Sequence, residues 1–390
     1  MASTTDVKVC VIGAGAAGLC AARHLLAEGV DVVVLEQAAQ LGGTWVYTEN
    51  VGYDSFGLPI HTSMYKSLRW ADQVLTYKYS HFPYDVLYRT NLPKEIMGFP
   101  DFPVPPSEKS YLPAKDMLAF LQLYADTHGV TAHIKACIDI PSTRATCKAC
   151  GRRAMGCHEL RSRERGRDHD PLPLRDGDVM HSHDYRVPEI FAGKRVAVIG
   201  AGPSGMDIAL EICSVTEKVY LSHHLSEKPK TVFPDNLEQK PDVLELKGKT
   251  AFFQDGTSAE VDVIFLCTGY LYNFPFLDPS CGIAVEDNCV EPLYKHLVNI
   301  HHPTMCFIGV PYYVCAFSMF DLQVRYYVRA MKGLFRLPSK ESMVAHREEE
   351  MRDRAARGFT RRQAHMMGPD QVGPARGARF KFTLTLHPTV

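Results

Sequence analysis

Two sets of three glycines are the residues of this 390-residue chain whose spacing most directly implies chemistry. Gly13, Gly15 and Gly18 follow the apolar run Val7 to Ile12 and open a helical pattern that runs to about Glu28, with Gly29 as its stop. In such a turn the first glycine permits the tight bend and the second lets the main chain approach a pyrophosphate. The third lets the helix pack close to the strand. The phosphates would sit at the helix N-terminus, where free N–H groups and the dipole favour negative charge. Glu36 stands 18 residues past Gly18, at the end of the apolar run Asp31 to Leu35. A carboxylate there can accept both hydroxyls of a ribose. Strand, glycines, helix, strand and acid in that order make a chance glycine turn the weaker reading.

Gly200, Gly202 and Gly205, with Ser204 in the loop, repeat the device after the run Arg195 to Ile199. A helix to about Ser214 and a strand from Lys218 to Leu221 follow. That strand ends not in an acid but in Ser222, His223 and His224. Without a carboxylate a 2′-phosphate is not repelled, and a hydroxyl or imidazole can bond it. The second site is therefore expected to take NADPH rather than NADH. An Arg would be the better phosphate partner, and a solvated strand end is an equal alternative for the two histidines. Two fingerprints imply two nucleotides, a resident redox cofactor and a hydride donor. Glu36, by recognising an unphosphorylated ribose, makes FAD the simplest occupant of the first.

Each fingerprint needs a parallel sheet to hold its helix. This predicts an α/β chain of two Rossmann-like dinucleotide-binding domains, the NADPH domain inserted in the FAD domain. The boundaries read as 1–141 and 271–371 for the two parts of the FAD-binding domain and 181–270 for the NADPH-binding domain. Residues 142–180 form an irregular Arg-rich segment, and 372–390 an atypical tail. A helix is expected over Lys115 to His128, strands over Val261 to Cys267 and Met305 to Ile308, and a charged helix over Ser339 to Arg357 closed by Gly358. From Ser142 to Arg175 there is no Val, Ile, Phe, Trp or Tyr, so this stretch is expected to supply no buried strand.

The net charge of −1 argues against a nucleic-acid or membrane-surface protein, and the 46% hydrophobic content allows a sizeable core. The 12 cysteines form no regular framework; Cys10, Cys20, Cys213 and Cys306 sit in apolar contexts and read as buried thiols of a reducing compartment. No signal peptide and no membrane span are legible, so a soluble cytoplasmic protein is expected. Cys147, Cys150, Cys157 and His158 are too loosely spaced for a zinc knuckle, and no metal site is expected. Arg161 to Arg167, interleaved with Glu164 and followed by Asp168, reads as a solvated loop.

The segments between the fingerprints carry a family resemblance. Gly177-x3-His181-x3-Tyr185-Arg186 resembles the identifying FxGxxxHxxxY motif of flavin-containing monooxygenases, with Arg175 where the Phe stands. Gly42-Gly43-Thr44-Trp45 resembles the family's flavin segment. Tyr65 to Arg69 and Thr90-Asn91-Leu92-Pro93-Lys94-Glu95 are similar to its YxxLRTNLPKE segment. Phe265-Leu266-Cys267-Thr268-Gly269-Tyr270 is similar to its inter-domain linker, and His365-Met366-Met367-Gly368 also occurs in members, the arthropod branch being most alike. The resemblance implies an NADPH-dependent flavin monooxygenase that oxygenates tertiary amines or sulfides through a C4a-hydroperoxyflavin. It adds Gly43, Thr44, Trp45, Thr268 and Gly269 to the cofactor-binding set and makes Asn91 the flavin-facing catalytic amide. His181 and Tyr185 are implied to dock the NADPH domain, if they are not plain core residues. The partners implied are an amine or sulfide substrate and O2, with a homodimer as one allowed assembly.

Three departures bear on activity. Trp70 to Arg89 separates two segments that are contiguous in the family, a strand expected before the identifying motif is replaced by 142–175, and Val372 to Val390 is unlike the family tail. Weak FAD retention is the expectation these raise. A flavin disulfide reductase and a defective isoform binding NADP(H) without turnover are the competing readings. The first would need a CxxC beside the flavin, and Cys147 and Cys150 lie outside any βα context.

Overall fold

The computed structural model describes residues 8–51, 92–136, 153–157, 178–225, 229 and 231–368. β1 (Lys8–Ile12) and β2 (Asp31–Leu35) each bury their three central residues, Val9-Cys10-Val11 and Val32-Val33-Val34. Such unbroken apolar runs belong to parallel strands covered on both faces. The two strands pair in parallel from Lys8 with Asp31 to Ile12 with Leu35. α1 (Ala16–Ala27) makes the crossover; its buried face carries the small residues Ala17, Gly18, Ala21 and Ala22, which let the helix lie close to the sheet. Buried Leu19 and Leu25 on the same helix each stabilise the layer by about 1.5–3 kcal/mol. α2 (Ala114–Thr127) packs beside α1 through Tyr124, Phe120 and Met117, and β3 (Ile134–Lys135) joins β2 in parallel.

β4 (Arg153–Cys157) corrects the sequence reading. The Arg-rich stretch is expected to contribute no buried strand, yet β4 pairs in parallel with β1, Val9 opposite Arg153 and Ile12 opposite Gly156. A slot between two strands already satisfies both edges of whatever enters it. Ladder hydrogen bonds there outweigh a weak intrinsic β-preference.

The inserted unit begins at β5 (Asp178–His181) and continues through β6 (Arg195–Ile199), α3 (Pro203–Ile212), β7 (Lys218–Ser222) and β8 (Leu237–Lys240). β9 (Val243–Lys247), β10 (Thr250–Phe253) and β11 (Ser258–Glu260) form an antiparallel meander before β12 (Val263–Leu266). The parallel sheet has the order β5-β12-β6-β7-β8. Its side chains divide by the period of two. Val196, Val198, Val263 and Phe265 pack with Ile208 and Ile212 of α3, while Ala197 and Ile264 pack with Leu246, Ala251 and Phe253 of the meander. Arg195 clamps Asp262 with two 3.0 Å bonds, from Nε and Nη2, where β6 and β12 begin.

The chain then returns to the first unit. β13 (Ala284–Glu286) and β14 (Cys289–Glu291) form a hairpin, and β15 (Leu293–Tyr294), β16 (Val298–Asn299) and β17 (Cys306–Ile308) complete the first sheet in the order β15-β16-β17-β4-β1-β2-β3. α4 (Ala316–Met331) covers α1, with Phe317 in edge contact with Phe99, 5.0 Å between ring centres. α5 (Lys340–Ala356) starts at Ser339, whose hydroxyl accepts from the Ser342 N–H.

A buried polar chain ties the turn at His365 to the first unit. The Val290 N–H donates to His365 Nε2 (2.9 Å), which leaves the ring proton on Nδ1. That proton goes to His296 Nδ1 (2.7 Å), and His296 Nε2–H donates to Glu350 on α5 (2.8 Å). Lys295 and His296 both have positive φ, +53° and +52°, a strain that persists only where the surroundings over-determine it.

Candidate functional site

At the first fingerprint, Gly13 turns at φ +97° and its N–H donates to the Leu35 carbonyl (2.8 Å). Gly15 is the extended N-cap of α1 and, among the described residues, no side chain caps the helix. Its opening N–H groups are thus left to a ligand. Glu36 is 5% exposed and braces this loop: one oxygen accepts from the Ala14 N–H (2.6 Å), the other from the Ala38 N–H (2.7 Å). A carboxylate can accept about four bonds, so two remain for a ribose. Gly42 (φ +127°) donates to the Ala14 carbonyl at 3.0 Å, and Gly43 (φ +56°) stands opposite Gly15, where a Cβ would come within 3.6 Å of the Gly43 Cα. Two bare stretches of main chain face one another there. Gly18 is buried against the sheet, and Gly43, Thr44 and Trp45 form one 3₁₀ turn with Trp45 packed on the first core. A dinucleotide's pyrophosphate fits these main-chain donors, and its ribose hydroxyls fit the Glu36 acceptor.

At the second fingerprint, Gly200 turns at φ +105° and donates to the Ser222 carbonyl (2.8 Å). A Cβ on Gly200 would meet the Cys267 carbonyl oxygen at 2.7 Å, and one on Gly205 would meet the Gly200 oxygen at 1.8 Å. Gly202, the N-cap of α3, opens on space: a Cβ there would meet no described atom within 4 Å. Ser204 lies half-buried in the first turn of that helix. Thr268 and Gly269 (φ +82°) follow β12 beside this loop, and the buried Thr268 hydroxyl has no hydrogen-bond partner among the described residues. An anionic nucleotide with a further hydrogen-bonding group fits here as well.

The strand end expected to meet a 2′-phosphate is largely engaged within the protein. The Ser222 hydroxyl donates to the Pro241 carbonyl (2.9 Å). His223 Nδ1 accepts from the Leu225 N–H (3.3 Å), so Nε2 carries the proton and donates to Gln239 (3.1 Å). The cause is β8, which pairs Ser222 with Lys240 and brings Gln239 and Pro241 alongside. His224, with a side chain 85% exposed, stands in solvent, 3.5 Å from Asp242.

His181 and Tyr185 of the identifying motif are both buried. The Tyr185 hydroxyl donates to Glu211 on α3 (2.8 Å), and its ring lies among Phe191 and Phe265. His181 Nδ1 accepts from the His183 N–H (3.0 Å), and its ring meets Tyr270 edge-on. Arg186 follows Tyr185 at the end of the motif. It is 7% exposed and reaches across to the first unit, from Nε to the Thr48 carbonyl (2.7 Å) and from Nη2 to the Asn50 carbonyl (3.0 Å). Two acids of α3 are also buried. Asp207 and Glu211, one turn apart on the buried face, are recognisable from the i, i+4 spacing. Burial, reinforced by the neighbouring Glu211 carboxylate, pushes the Asp207 carboxyl up to about 8.

Asn91 lies outside the described residues. Lys94, three residues on, is buried, and its ammonium donates to the carbonyls of Ser107 (2.5 Å) and Lys109 (3.0 Å), fixing where the segment emerges. Cys20, His24 and Asp321 form a buried group with metal-ligand atoms. Its geometry suits the protein's own cations: Arg23 donates to the His24 ring (3.0 Å), His24 Nε2 to Asp321 (2.7 Å), and Arg325 to the second Asp321 oxygen (3.2 Å). Among the described residues, no helix is long and apolar enough to cross a membrane.

A family profile described as Flavin-binding monooxygenase-like matches residues 6–151, 172–227 and 225–373. Senecionine N-oxygenase of Tyria jacobaeae is 30% identical over 386 residues, covering 93% of this chain and 80% of its own length. Flavin-containing monooxygenase FMO GS-OX-like 2 of Arabidopsis thaliana is 32% identical, covering 94% and 83%. The solved structure of S-allyl-L-cysteine S-oxygenase from Allium sativum superposes with a TM-score of 0.78 at 28% identity, over 93% of this chain and 85% of that one.

Proposed function

The chain belongs to the Flavin-binding monooxygenase-like family, a family of enzymes, and from that premise we propose that it uses FAD and NADPH to oxygenate a soft nucleophile, a tertiary amine at nitrogen or a sulfide at sulfur. The observation that carries the reading is the pair of nucleotide cradles with different chemistry, one with an acid at its strand end and one without. When bound, the flavin supplies oxygen activation and the nicotinamide supplies the hydride.

The chain's own residues bind, orient and exclude water. Glu36 accepts the ribose hydroxyls of FAD with the lone pairs its two loop bonds leave over. Gly13, Gly15, Gly18, Gly43, Thr44 and Trp45 line the pyrophosphate. Gly200, Gly202, Ser204 and Gly205 hold the second pyrophosphate at the start of α3, and the Thr268 hydroxyl beside Gly269 offers it a further bond. Ser222 and His223 shape the strand end that admits a 2′-phosphate, with His224 the exposed group beside it. Asn91, which lies outside the described residues, is assigned as the flavin-facing amide from its place in the Thr90 to Glu95 motif, three residues before the buried Lys94. Soft nucleophiles need little acid or base help, in keeping with a site built from amides, glycines and hydroxyls. The buried thiols of Cys267, Cys281 and Cys289, none of them in a disulfide, support action in the reducing cytoplasm.

Purified protein mixed with NADPH, O2 and either a tertiary amine, a sulfide or a disulfide tests the reading. One N-oxide or S-oxide formed per O2 consumed is expected. Disulfide reduction without oxygen uptake, or NADPH binding with neither, would overturn it.

A further inference from the structure

Tyr185 and Arg186 are neighbours in the chain that hold on to different nucleotide sites. The Tyr185 hydroxyl is bonded to Glu211 of α3, the helix whose N-terminus is the second phosphate cradle. The Arg186 guanidinium donates to the carbonyls of Thr48 and Asn50. Those carbonyls end the segment that starts at Gly42, bonded to Ala14 of the first loop, and passes Gly43, opposite Gly15. Arg186 also donates from Nη1 to its own turn, to His183 (2.7 Å) and Tyr185 (3.0 Å). One guanidinium thus joins two segments, with two bonds into the first unit and two into the second.

We propose that Arg186 is a positioning residue for hydride transfer, setting the spacing between the two nucleotide sites. The proposal rests on the FAD and NADPH reading above. In the step concerned, one hydride leaves NADPH, which becomes NADP⁺, and the flavin is reduced by the same two electrons. Such a transfer needs reacting atoms within about 3–3.5 Å, and a misplacement of about 1 Å costs on the order of 100-fold. A planar guanidinium with five donors in a fixed fork can hold the four carbonyls of two backbone segments at once. A lysine ammonium on a flexible stem cannot replace it. Carbonyl acceptors also fix geometry without depending on a side-chain rotamer at the far end.

The test uses the full chain with Arg186→Ala and Arg186→Lys. FAD content is read from flavin absorbance, NADP⁺ affinity by equilibrium binding, and flavin reduction by anaerobic stopped flow with saturating NADPH or with dithionite. Hydrogen exchange of amides 42–51 gives a readout independent of turnover. Both variants are expected to keep FAD, to bind NADP⁺ within about threefold of the parent and to react normally with dithionite. NADPH-driven reduction falls on the order of 100-fold, exchange near Thr48 and Asn50 quickens, and added guanidinium partly restores Arg186→Ala. NADPH-driven reduction within twofold of the parent overturns the proposal. So does a fall matched by equal loss of FAD, or insolubility of both variants, either of which makes Arg186 a folding residue. A parent protein that binds FAD but is not reduced by NADPH would sink the functional reading itself, and the proposal with it, before any variant is made.

Discussion

Adding a methyl group at Gly205 or at Gly202 separates the two things a phosphate loop does. At Gly205 the new Cβ would lie 1.8 Å from the Gly200 carbonyl oxygen and 2.9 Å from its carbon, and 3.3 Å from the Cys267 side chain. Real Cβ contacts under 3.0 Å are essentially unknown, so α3 and the end of β6 must separate by more than an ångström. The obstacle is main chain, which cannot swing aside like a flexible side chain. Overpacking of this kind costs about 3 kcal/mol or more, a fall of roughly 6 °C or more in Tm. The loop that aims N–H groups at the pyrophosphate deforms too, so NADP⁺ affinity falls with stability. At Gly202 the backbone is extended, φ −72° and ψ −177°, and a Cβ meets no described atom. Gly202→Ala therefore lowers Tm by only about 2–4 °C, since exchanging a glycine N-cap for the poorer alanine costs on the order of 1 kcal/mol. Its methyl occupies the space where a phosphate would sit, so NADP⁺ affinity drops by about tenfold or more, equivalent to ~1.4 kcal/mol. Thermal unfolding and equilibrium NADP⁺ binding on both variants check this. Gly205→Ala with parental Tm and affinity, or Gly202→Ala with parental affinity, would refute the reasoning about the cradle.

Glu36→Gln replaces one of the two carboxylate acceptors that hold Ala14 and Ala38 with an amide donor; losing one charge-assisted bond costs about 1.5–3 kcal/mol, and absorbance at 450 nm should show markedly reduced FAD occupancy. His296→Ala leaves Glu350 and the His365 Nδ1–H without the ring between them, so stability to denaturant is expected to fall by about 3 kcal/mol, and an unchanged unfolding midpoint would contradict the network. Asp207 gives a pH dependence. Its carboxyl sits at about 8 in the folded chain against 3.8 unfolded, so its contribution is complete below pH 4 and is lost as pH rises through 8. Parental Tm should decline from pH 5 to 9, and Asp207→Asn should flatten that decline; identical profiles would show that this carboxyl does not control it.

The parts legible in the sequence are those written locally. β2 and β6 were read at their observed limits, Asp31–Leu35 and Arg195–Ile199, because a fully buried parallel strand is an apolar run and a glycine turn marks where it stops. Both fingerprints and the acid at Glu36 followed from the same short-range pattern. What escaped depends on partners distant in the chain. β4 is a strand because β1 and β17 leave a slot for it, and nothing in Arg153 to Cys157 announces that. Ser222 and His223 are occupied because β8 lies beside β7, a neighbour whose register local sequence does not specify. Arg186 looked like the end of a motif; its role lies in carbonyls at Thr48 and Asn50, more than a hundred residues earlier. Carbonyl acceptors belong to every residue type and leave no trace in composition.

The position of β4 between β1 and β17 also sets an order of assembly during translation. Everything the inserted unit pairs with, from β5 to β12, lies within it. It can fold once Leu266 has left the ribosome. The first sheet must wait for β17, and α1 must wait for α4 to cover it, which adds on the order of ten seconds of synthesis after β4 emerges. Until then α1 exposes an apolar face and β4 an open edge, a window in which aggregation or chaperone capture competes with folding. The loop at Gly13 to Gly18 is thus made well before the elements that enclose it.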